Sequence, residues 1–550
     1  MARLTGPGVD SGNDDALITD TSVIGREGVT GFSDTPPGFS SGVSYRSFPN
    51  FLITDSSSGV FNAFVQGPGI TGDVNDSGIW ELRGSFTPSL RIKAGDPAPD
   101  IPGSFVLRSP SVIAASPFGY LASGGISDGT NALWRTDGNG LPFELLARTG
   151  TQAPGVDPGL TFTSLAGRGF TDTGASYFSG RLAGSGVTAA NDFGLWSDRS
   201  GSGAQVLVRE GDPAPGTFPG VSLNLIEDRF AISALDEIAF VSSLAGFGVT
   251  ATNNSAVFSE GEGGGGSLRL IARTGNEAPD LGPGVVFTSF SSVSITFNGE
   301  TAFQALVSGP GISEANNAGI WRSTVFSPLQ LVLREGDQAP GTGPGVVFAQ
   351  GFPDFTVVSG GDYLVSARLS GPGVNSTNDR GIWLTDGSGT SVDLPKFALV
   401  ARTGDAFNVS DDPMSPDLRT IQSLRVFTSS NDGTGLGSAA IPFQNSVVFS
   451  ATFTDGSGGV FRATVSPEAP CPADLTGSSD PNDPSYAMPD GDADGDDFFF
   501  YLDAFATTDL AVCDLTGSSD PNDPSFDTPD GDCDGDDFFR YLDLFAAGCN

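Results

Sequence analysis

The chain of 550 residues contains no histidine and very little lysine. The absence of histidine excludes Ser-His-Asp triads, histidine-ligated metal centres and the usual acid/base group at neutral pH. Basic residues number 26, of which only Lys93 and Lys396 are lysines, against 65 acidic residues. The resulting net charge of −39 argues against nucleic acid and anionic membranes as partners, because both bind basic surfaces.

Long apolar segments are missing too. No stretch approaches the run of about eighteen apolar residues that crosses a membrane, so we expect no membrane insertion. Before Cys471 there is also no useful length of sequence with the helical spacing of apolar residues. The 42 phenylalanines nevertheless supply a large core, and the expected structure up to this point is therefore mainly β.

Cysteine occurs only in the last eighty residues, at Cys471, Cys513, Cys533 and Cys549. An even set in a small acidic segment predicts disulfides, and disulfides imply an oxidising compartment outside the cytoplasm. Three pairings are open. A zinc site is less favoured because CxxC spacing and histidine are both lacking.

A sequence motif of eight residues, called the phrase below, recurs along the first 470 residues. It reads Arg-Glu-Gly-Asp-Pro-Ala-Pro-Gly at 209–216 and returns with variation at 93–99, 148–154, 273–279 and 334–341, with degenerate copies at 26–28 and 402–405. Seven repeats of about sixty residues indicate a propeller or a stacked array.

Each repeat contains four short segments with strand character. In the fourth copy these are Gln205–Arg209, Val221–Ile226, Glu237–Leu244 and Ala256–Ser259, separated by Gly, Pro, Asp and Ser. Alternating apolar residues between turn formers predict strands, and four strands are the content of one propeller blade. We therefore predict a β-propeller-like domain of seven or eight blades.

A second motif, N-x-x-G-x-W, marks the last predicted strand of a repeat. The five tryptophans of the chain fall on it or on its degenerate copy: Trp80, Trp134, Trp196, Trp321 and Trp383. A side chain placed once per repeat performs the same task each time, so core or inter-blade packing is favoured over ligand stacking.

The charged residues of the phrase have two interpretations. Arg148, Arg209, Arg273 and Arg334 could form an anion-binding ring, but structural ion pairs are favoured because they recur with the repeat. Asp96, Asp212, Asp337 and Asp405 could hold calcium, although turn formation explains an aspartate before Pro or Ala more simply.

The tail repeats itself at an interval of forty residues, with Asp474-Leu-Thr-Gly-Ser-Ser returning from Asp514. Each copy places aspartates at alternating positions and then a glycine, as at loop positions one, three, five and six of an oxygen-ligand calcium loop. An apolar stripe with helical spacing follows in each copy. The predicted ligands of Ca²⁺, the one expected cofactor, are Asp490, Asp492, Asp494, Asp530, Asp532 and Asp534.

The twelfth position of the predicted loop holds no acid. Counted from Asp490 it is Tyr501, so Asp497 and Asp537 are the best candidates for the remaining ligand. The alternative is a solvated acidic linker before a short helix. It is less favoured because random acidic runs do not duplicate together with their helices.

Two tandem loop-helix units resemble a dockerin module. The segment Cys471-Pro-Ala-Asp474-Leu and the ending Ala-Gly548-Cys549 are similar to the GC-type dockerin of planctomycete exported proteins, although the loop here is longer. The resemblance implies a cohesin-like receptor or a cell-surface anchor as partner. In such a pseudo-twofold pair the ends meet, which favours the disulfides Cys471 to Cys549 and Cys513 to Cys533.

The preceding repeats resemble planctomycete tandem-repeat proteins with an NxxGxxxW-like motif and interchangeable C-terminal anchors. The predicted domains are a propeller-like repeat domain at 1–466, a linker at 467–470 and the dockerin-like module at 471–550. Residues 2–9 match 367–374, so the chain begins inside a repeat without a signal peptide. We expect a secreted or cell-surface protein whose signal is missing from this sequence.

These features predict an exported, calcium-dependent surface or extracellular protein whose propeller scaffolds or binds a glycan or a protein. The alternative is a polysaccharide-processing hydrolase or lyase, because two carboxylates can hydrolyse a glycoside without histidine. No repeat contains an acid cluster that its sister repeats lack, and this favours binding.

Overall fold

The chain forms two compact units, Met1–Val465 and Ser466–Asn550, in a computed structural model. The structure describes residues 2–3, 9–10, 13, 15–18, 23–28, 35–55, 58–83, 87–137, 142–261, 267–296, 299–323, 329–357, 362–385, 396–410, 416–426, 446–465, 473–481, 486–487, 493–521, 523, 525–526 and 528–547.

The first unit consists of antiparallel sheets in chain order. A three-stranded sheet comes first, with β1 (Ala2–Arg3), β2 (Asp15–Ile18) and β3 (Val23–Arg26). Seven four-stranded sheets follow, numbered here as blades 1 to 7: β4 (Ser44–Asp55), β5 (Ser58–Gln66), β6 (Ser77–Arg83) and β7 (Ser89–Lys93); β8 (Leu107–Ser116), β9 (Gly119–Ile126), β10 (Asn131–Arg135) and β11 (Glu144–Arg148); β12 (Thr161–Phe170), β13 (Ser176–Ala183), β14 (Phe193–Ser197) and β15 (Gln205–Arg209); β16 (Val221–Ile232), β17 (Ile238–Gly246), β18 (Ser255–Ser259) and β19 (Arg269–Arg273); β20 (Val286–Ile295), β21 (Thr301–Ser308), β22 (Ala318–Ser323) and β23 (Gln330–Arg334); β24 (Val347–Val357), β25 (Tyr363–Ser370), β26 (Arg380–Thr385) and β27 (Phe397–Arg402); β28 (Ala406–Asn408), β29 (Leu418–Val426), β30 (Ser446–Phe453) and β31 (Gly458–Thr464).

The apolar core is divided into layers between consecutive sheets. One layer joins Tyr177 and Leu195 of blade 3 to Phe230 and Phe240 of blade 4, and equivalent layers join the other neighbouring blades. The first strands of consecutive blades also contact each other between blades 1 and 2, 2 and 3, 4 and 5, and 5 and 6. The unit is therefore mainly β with a seven-blade β-propeller arrangement.

The sheets are offset by one strand from the repeats predicted from the sequence. Gln205–Arg209, read as the opening strand of the fourth repeat, is the last strand of blade 3, and each tryptophan lies in the third strand of its sheet. Residues 210–220, which include the rest of the phrase, carry the chain from one sheet to the next. A repeat in sequence fixes the period but not the point at which one sheet ends.

The two sequence motifs contact each other in the folded repeat. Arg209, Arg334 and Arg402 donate from Nε to the backbone carbonyl of the motif asparagine, with N···O distances of 2.7, 2.8 and 2.9 Å. Arg273 donates in the same way to Asn253, at 2.7 Å, although blade 4 has Ala256 and Phe258 in place of the motif glycine and tryptophan. Within the described part of the chain, Arg148 is the one of the four predicted arginines that makes the expected ion pair, with Asp128. The expectation was wrong for Arg209, Arg273 and Arg334, because a backbone oxygen takes the place of the carboxylate.

The phrase aspartates form turns, as the simpler interpretation predicted. Asp96, Asp212 and Asp337 accept a hydrogen bond from the backbone N–H three residues earlier, at 3.0, 2.8 and 2.8 Å. Burial raises the pKa of Asp212 and of Asp337. These carboxylates therefore stabilise the loop between blades.

Polar contacts also cross from blade to blade. Arg199 of blade 3 binds both carboxylate oxygens of Glu260 in blade 4, at 2.6 and 2.7 Å. Between blades 5 and 6, the Tyr363 hydroxyl donates to Glu300, whose second oxygen lies 4.0 Å from Arg322 Nη1. Burial raises the pKa of Glu300, although the Tyr363 hydroxyl and Arg322 both act to lower it.

Replacement of Glu300 with glutamine is expected to change how stability depends on pH. Because the pKa of Glu300 is raised in the folded protein, its protonated form favours the folded state. This contribution to folding stability is complete below the ordinary pKa of 4.5 and is lost as the pH rises through the raised pKa. The free energy of unfolding of the wild type, measured in urea, should therefore fall relative to that of E300Q between pH 4 and pH 7. Parallel pH profiles of the two proteins would contradict this expectation.

The described part of the second unit contains three helices, α1 (Gly495–Thr507), α2 (Leu510–Cys513) and α3 (Gly535–Ala547). The two longer helices, α1 and α3, confirm the helices that the apolar stripes predicted. No helix in the described part of the chain has the length and apolar content to span a membrane.

Candidate functional site

Helices α1 and α3 begin at acidic residues that bind backbone N–H groups. Asp494 is the N-cap of α1, and its side chain accepts from the Asp496 N–H at 2.9 Å. Asp534 accepts from the Asp536 N–H in the same way at 2.8 Å. Carboxylates are favoured here because the first N–H groups of a helix lack partners within the helix.

Asp497 and Asp537 are fully buried and each accepts three backbone hydrogen bonds. Asp537 Oδ1 accepts from the N–H groups of Leu515 and Thr516 at 2.7 and 2.8 Å, and Oδ2 accepts from Asp534 N–H at 2.9 Å. Asp497 binds the equivalent groups of the first copy at 2.6, 2.8 and 2.8 Å. Each carboxylate therefore ties the start of its loop to the start of its helix.

The two copies are related by crossed contacts. The rings of Tyr501 and Tyr541 stack with centroids 3.7 Å apart and planes 3° apart. The Tyr501 hydroxyl donates to the Cys513 carbonyl at 3.4 Å, and the Tyr541 hydroxyl donates to the Ala473 carbonyl at 3.2 Å. Burial raises the pKa of both tyrosines, so both hydroxyls stay protonated and can donate. The arrangement has the pseudo-twofold character expected of a duplicated module.

The predicted calcium ligands fall into three groups. Asp490 and Asp492 lie outside the described residues. Asp494, Asp530, Asp532 and Asp534 are exposed at the helix starts and in the second loop, whereas Asp497 and Asp537 are buried. Gly535, the glycine that follows the aspartates of the second copy, is the first residue of α3, and the positive φ of 95° in this loop belongs to Gly531.

The second acidic loop offers exposed carboxylate oxygens, which are the ligands that a hard cation such as Ca²⁺ prefers. Among the residues that the structure describes, however, no three acidic or cysteine side chains are gathered as a metal site. Asp514 instead accepts from the N–H groups of Asp530 and Gly531, at 3.0 and 2.9 Å. Calcium binding therefore stays a prediction.

One predicted disulfide is present. Cys513 and Cys533 are bonded, with their Cα atoms 5.6 Å apart. The bond ties the end of α2 to the second acidic loop. Cys471 and Cys549, the other predicted pair, lie outside the described residues.

The propeller unit has a cavity of about 660 Å³ between blades 3 and 4. It is lined by two arginines, by apolar side chains and by small residues: Ser164, Leu165, Ala166, Arg168, Ser179, Gly180, Arg181, Phe193, Leu225 and Ile226. Arg168 Nε donates to Ser179 Oγ at 2.8 Å, and Arg181 Nη1 donates to both oxygens of Asp192, at 2.9 and 3.0 Å. These arginines lie outside the repeated motifs, so no pattern in the sequence marks them.

None of the lining residues described for this cavity is a carboxylate, whereas hydrolysis of a glycoside by the usual route needs two. A second cavity does carry acids, Glu81 and Asp137, but its volume of about 50 Å³ has room for only one or two water molecules. Glu81 is also ion-paired with Arg83 and Arg91.

Comparison with known proteins gives a family but no activity. Residues 1–260 and 127–471 match the model of a family of unknown function (DUF7453). No curated protein matches the chain.

Similar solved structures include the β-propeller domain of the trilobed protease from Pyrococcus furiosus, with 10% identity, a TM-score of 0.33, and 65% of this chain and 85% of that chain covered. The Dos1 propeller is also 10% identical, with a TM-score of 0.30, covering 75% of this chain and 78% of that one. A puromycin-hydrolysing peptidase from Mycobacterium tuberculosis is 13% identical, with a TM-score of 0.32 and 76% of this chain covered. The chain spans only 51% of that peptidase.

Proposed function

The chain belongs to the DUF7453 family of unknown function, and from this premise we propose that it is an exported, calcium-dependent surface or extracellular binding protein. In this proposal the propeller unit binds or scaffolds a glycan or a protein. The C-terminal unit is a dockerin-like module that attaches or sorts the chain through a cohesin-like receptor or a cell-surface anchor.

The observation that carries the proposal is the duplicated second unit. Two copies of an acidic loop and a helix join through stacked tyrosines, and a disulfide closes the second copy. Disulfides persist in oxidising compartments, which supports export. A compact acidic module appended to a separate repeat unit favours a role in attachment.

The propeller contributes a binding surface in this proposal. Its larger cavity combines two guanidinium groups with an apolar wall, a composition that suits a polar ligand with an apolar face. A glycan array probed with the full chain tests for such a ligand. Reducing-sugar release from any bound glycan would instead favour the polysaccharide-processing alternative.

Calcium should bind to the full chain with a stoichiometry of two. We expect isothermal titration after chelation to show two sites, because each acidic loop is present twice and its carboxylates repel one another without a cation. Asp532→Ala should remove one site and leave the other, and Asp492→Ala should do the reverse. Asp128→Ala, which removes an equal charge from blade 2, is the control. No heat of binding at millimolar calcium would contradict the expectation.

A further inference from the structure

Blades 1, 3, 4, 5 and 6 share a pair of adjoining turns. In blade 4, the first turn closes with the Val221 N–H donating to the Phe218 carbonyl at 3.2 Å, and the second with the Val249 N–H donating to the Gly246 carbonyl at 3.3 Å. The turns touch through their backbones, since a Cβ atom on Gly246 would lie 2.0 Å from the Gly220 oxygen. We call these two turns the turn pair.

The sister blades build the turn pair with the same contacts. A Cβ atom on the glycine that corresponds to Gly246 would lie 2.2 to 2.7 Å from the opposite carbonyl oxygen in each, at Gly67, Gly184, Gly309 and Gly371. The close backbone approach requires glycine in every copy. It also fixes which positions correspond from blade to blade.

Blade 4 differs from its sisters in the side chains that the turn pair presents. The first position of the first turn is Ser40, Asp157, Gly282 or Gly343 in the sister blades, and the second position of the second turn is Pro68, Ser185, Pro310 or Pro372. Blade 4 carries Phe218 and Phe247 at these positions. Their exposures, 76% and 82%, are the largest of any large hydrophobic side chain among the described residues.

These two phenylalanines contribute little to folding. A side chain that is four-fifths exposed buries almost no apolar area, and the sister blades form the same turns with small residues or proline. Exposed aromatic residues that break the symmetry of a repeat instead indicate a contact surface.

We propose that Phe218 and Phe247 form a stacking platform for a neutral polysaccharide chain. Pyranose rings carry C–H groups on their faces, which pack against aromatic rings, and their hydroxyls need polar groups at the edge of the contact. Residues 217–221 and 246–250 include no charged residue, and hydroxyl and amide side chains occur in or next to the two turns, at Thr217, Thr250, Thr252 and Asn253. The inference rests on the proposed function and gives its glycan ligand a contact surface separate from the cavity between blades 3 and 4, whose lining includes neither phenylalanine.

Size and charge favour this ligand over the alternatives. Two phenylalanines bury about 150–250 Å² each at most, well short of the roughly 800 Å² per partner of a stable protein interface. A chain of net charge −39 repels polyanions. An uncharged chain of sugar rings avoids both difficulties.

The test replaces the two phenylalanines with the residues of blade 5, as Phe218→Gly with Phe247→Pro. This change keeps the two hydrogen bonds that close the turns, because Gly282 and Pro310 occupy the same positions, but proline removes the hydrogen bond that the Phe247 N–H donates to the Gly220 carbonyl at 3.3 Å. Phe218→Gly with Phe247→Ser, after Ser185 of blade 3, retains that N–H and is measured alongside. The full chain is titrated calorimetrically with cellohexaose, xylohexaose, mannohexaose and chitohexaose, and with polygalacturonate as the anionic probe. Phe118→Ala, which removes another exposed phenylalanine from a turn in blade 2, is the control.

We expect at least one neutral hexasaccharide to bind, with affinity reduced about tenfold or more in both double variants and unchanged in Phe118→Ala. An unchanged affinity in either double variant would overturn the platform and leave the proposed function standing. Binding of polygalacturonate alone, or self-association that the double variants abolish, would also overturn it. No binding of any glycan by the wild type would count against both the platform and the glycan role of the propeller.

Discussion

Replacing Trp196 with alanine is expected to cost about 3–5 kcal/mol of unfolding free energy, the range for a large buried aromatic residue. Trp196 is fully buried, lies edge-on to Phe162 at 4.9 Å and stacks on Phe178 at 6.0 Å. Its Nε1 donates to the Pro154 carbonyl at 2.9 Å. Denaturant unfolding of the full chain measures the cost.

The same loss is expected at Trp321 and Trp383, because the contacts repeat. Both are fully buried and donate to the carbonyls of Pro279 and Pro340, at 3.3 and 3.0 Å. Trp196→Phe is the matched control, since it keeps a ring and removes the hydrogen bond, and its cost should be smaller. Three alanine variants with wild-type stability would mean that these side chains do not hold the blades together.

Asp537→Ala is expected to unfold the second loop-helix unit locally. Its carboxylate is the acceptor for three backbone N–H groups, and each buried group left without a partner costs about 1–3 kcal/mol. Hydrogen exchange of the full chain, read by mass spectrometry in the presence of a chelator, should show lost protection at Leu515 and Thr516. The measurement without calcium separates this role from metal ligation.

Asp536→Ala is the control for this experiment. It removes the same charge one residue away, together with a single hydrogen bond from Ser519 Oγ, and should leave the exchange pattern nearly unchanged. If Asp537→Ala instead kept its protection and lost only calcium affinity, the ligand role predicted from the sequence would be favoured over the structural one.

The sequence was sufficient to predict the repeats and the place of the tryptophans. A glycine two residues before four of the five tryptophans explains why the N-x-x-G-x-W motif is readable. A Cβ atom on Gly194, Gly319 or Gly381 would lie 2.5 to 3.0 Å from the indole of the same motif. The need for a residue without a side chain next to the indole acts within a motif of six residues, so it leaves a pattern in the sequence.

Contacts between distant residues left no such pattern. Arg209 binds the backbone carbonyl of Asn191 on the neighbouring strand side of the sheet. Every residue has a backbone carbonyl, so no residue type in the sequence marks this partner. An acidic side chain was therefore the partner that the sequence suggested. Asp537 was predicted as a calcium ligand, yet in the structure it binds N–H groups more than twenty residues earlier. The cavity beside Arg168 and Arg181 depends on how two sheets pack, which no repeated motif encodes.

The crossed tyrosines determine how the C-terminal unit can be divided. The hydroxyl of Tyr501 has its acceptor on the second copy, and that of Tyr541 has its acceptor on the first. A single copy would expose one face of its tyrosine ring to water and would exchange the hydroxyl's protein acceptor for solvent. Each copy therefore completes the core of the other, and the two copies form one folding unit that a cut between them would destabilise.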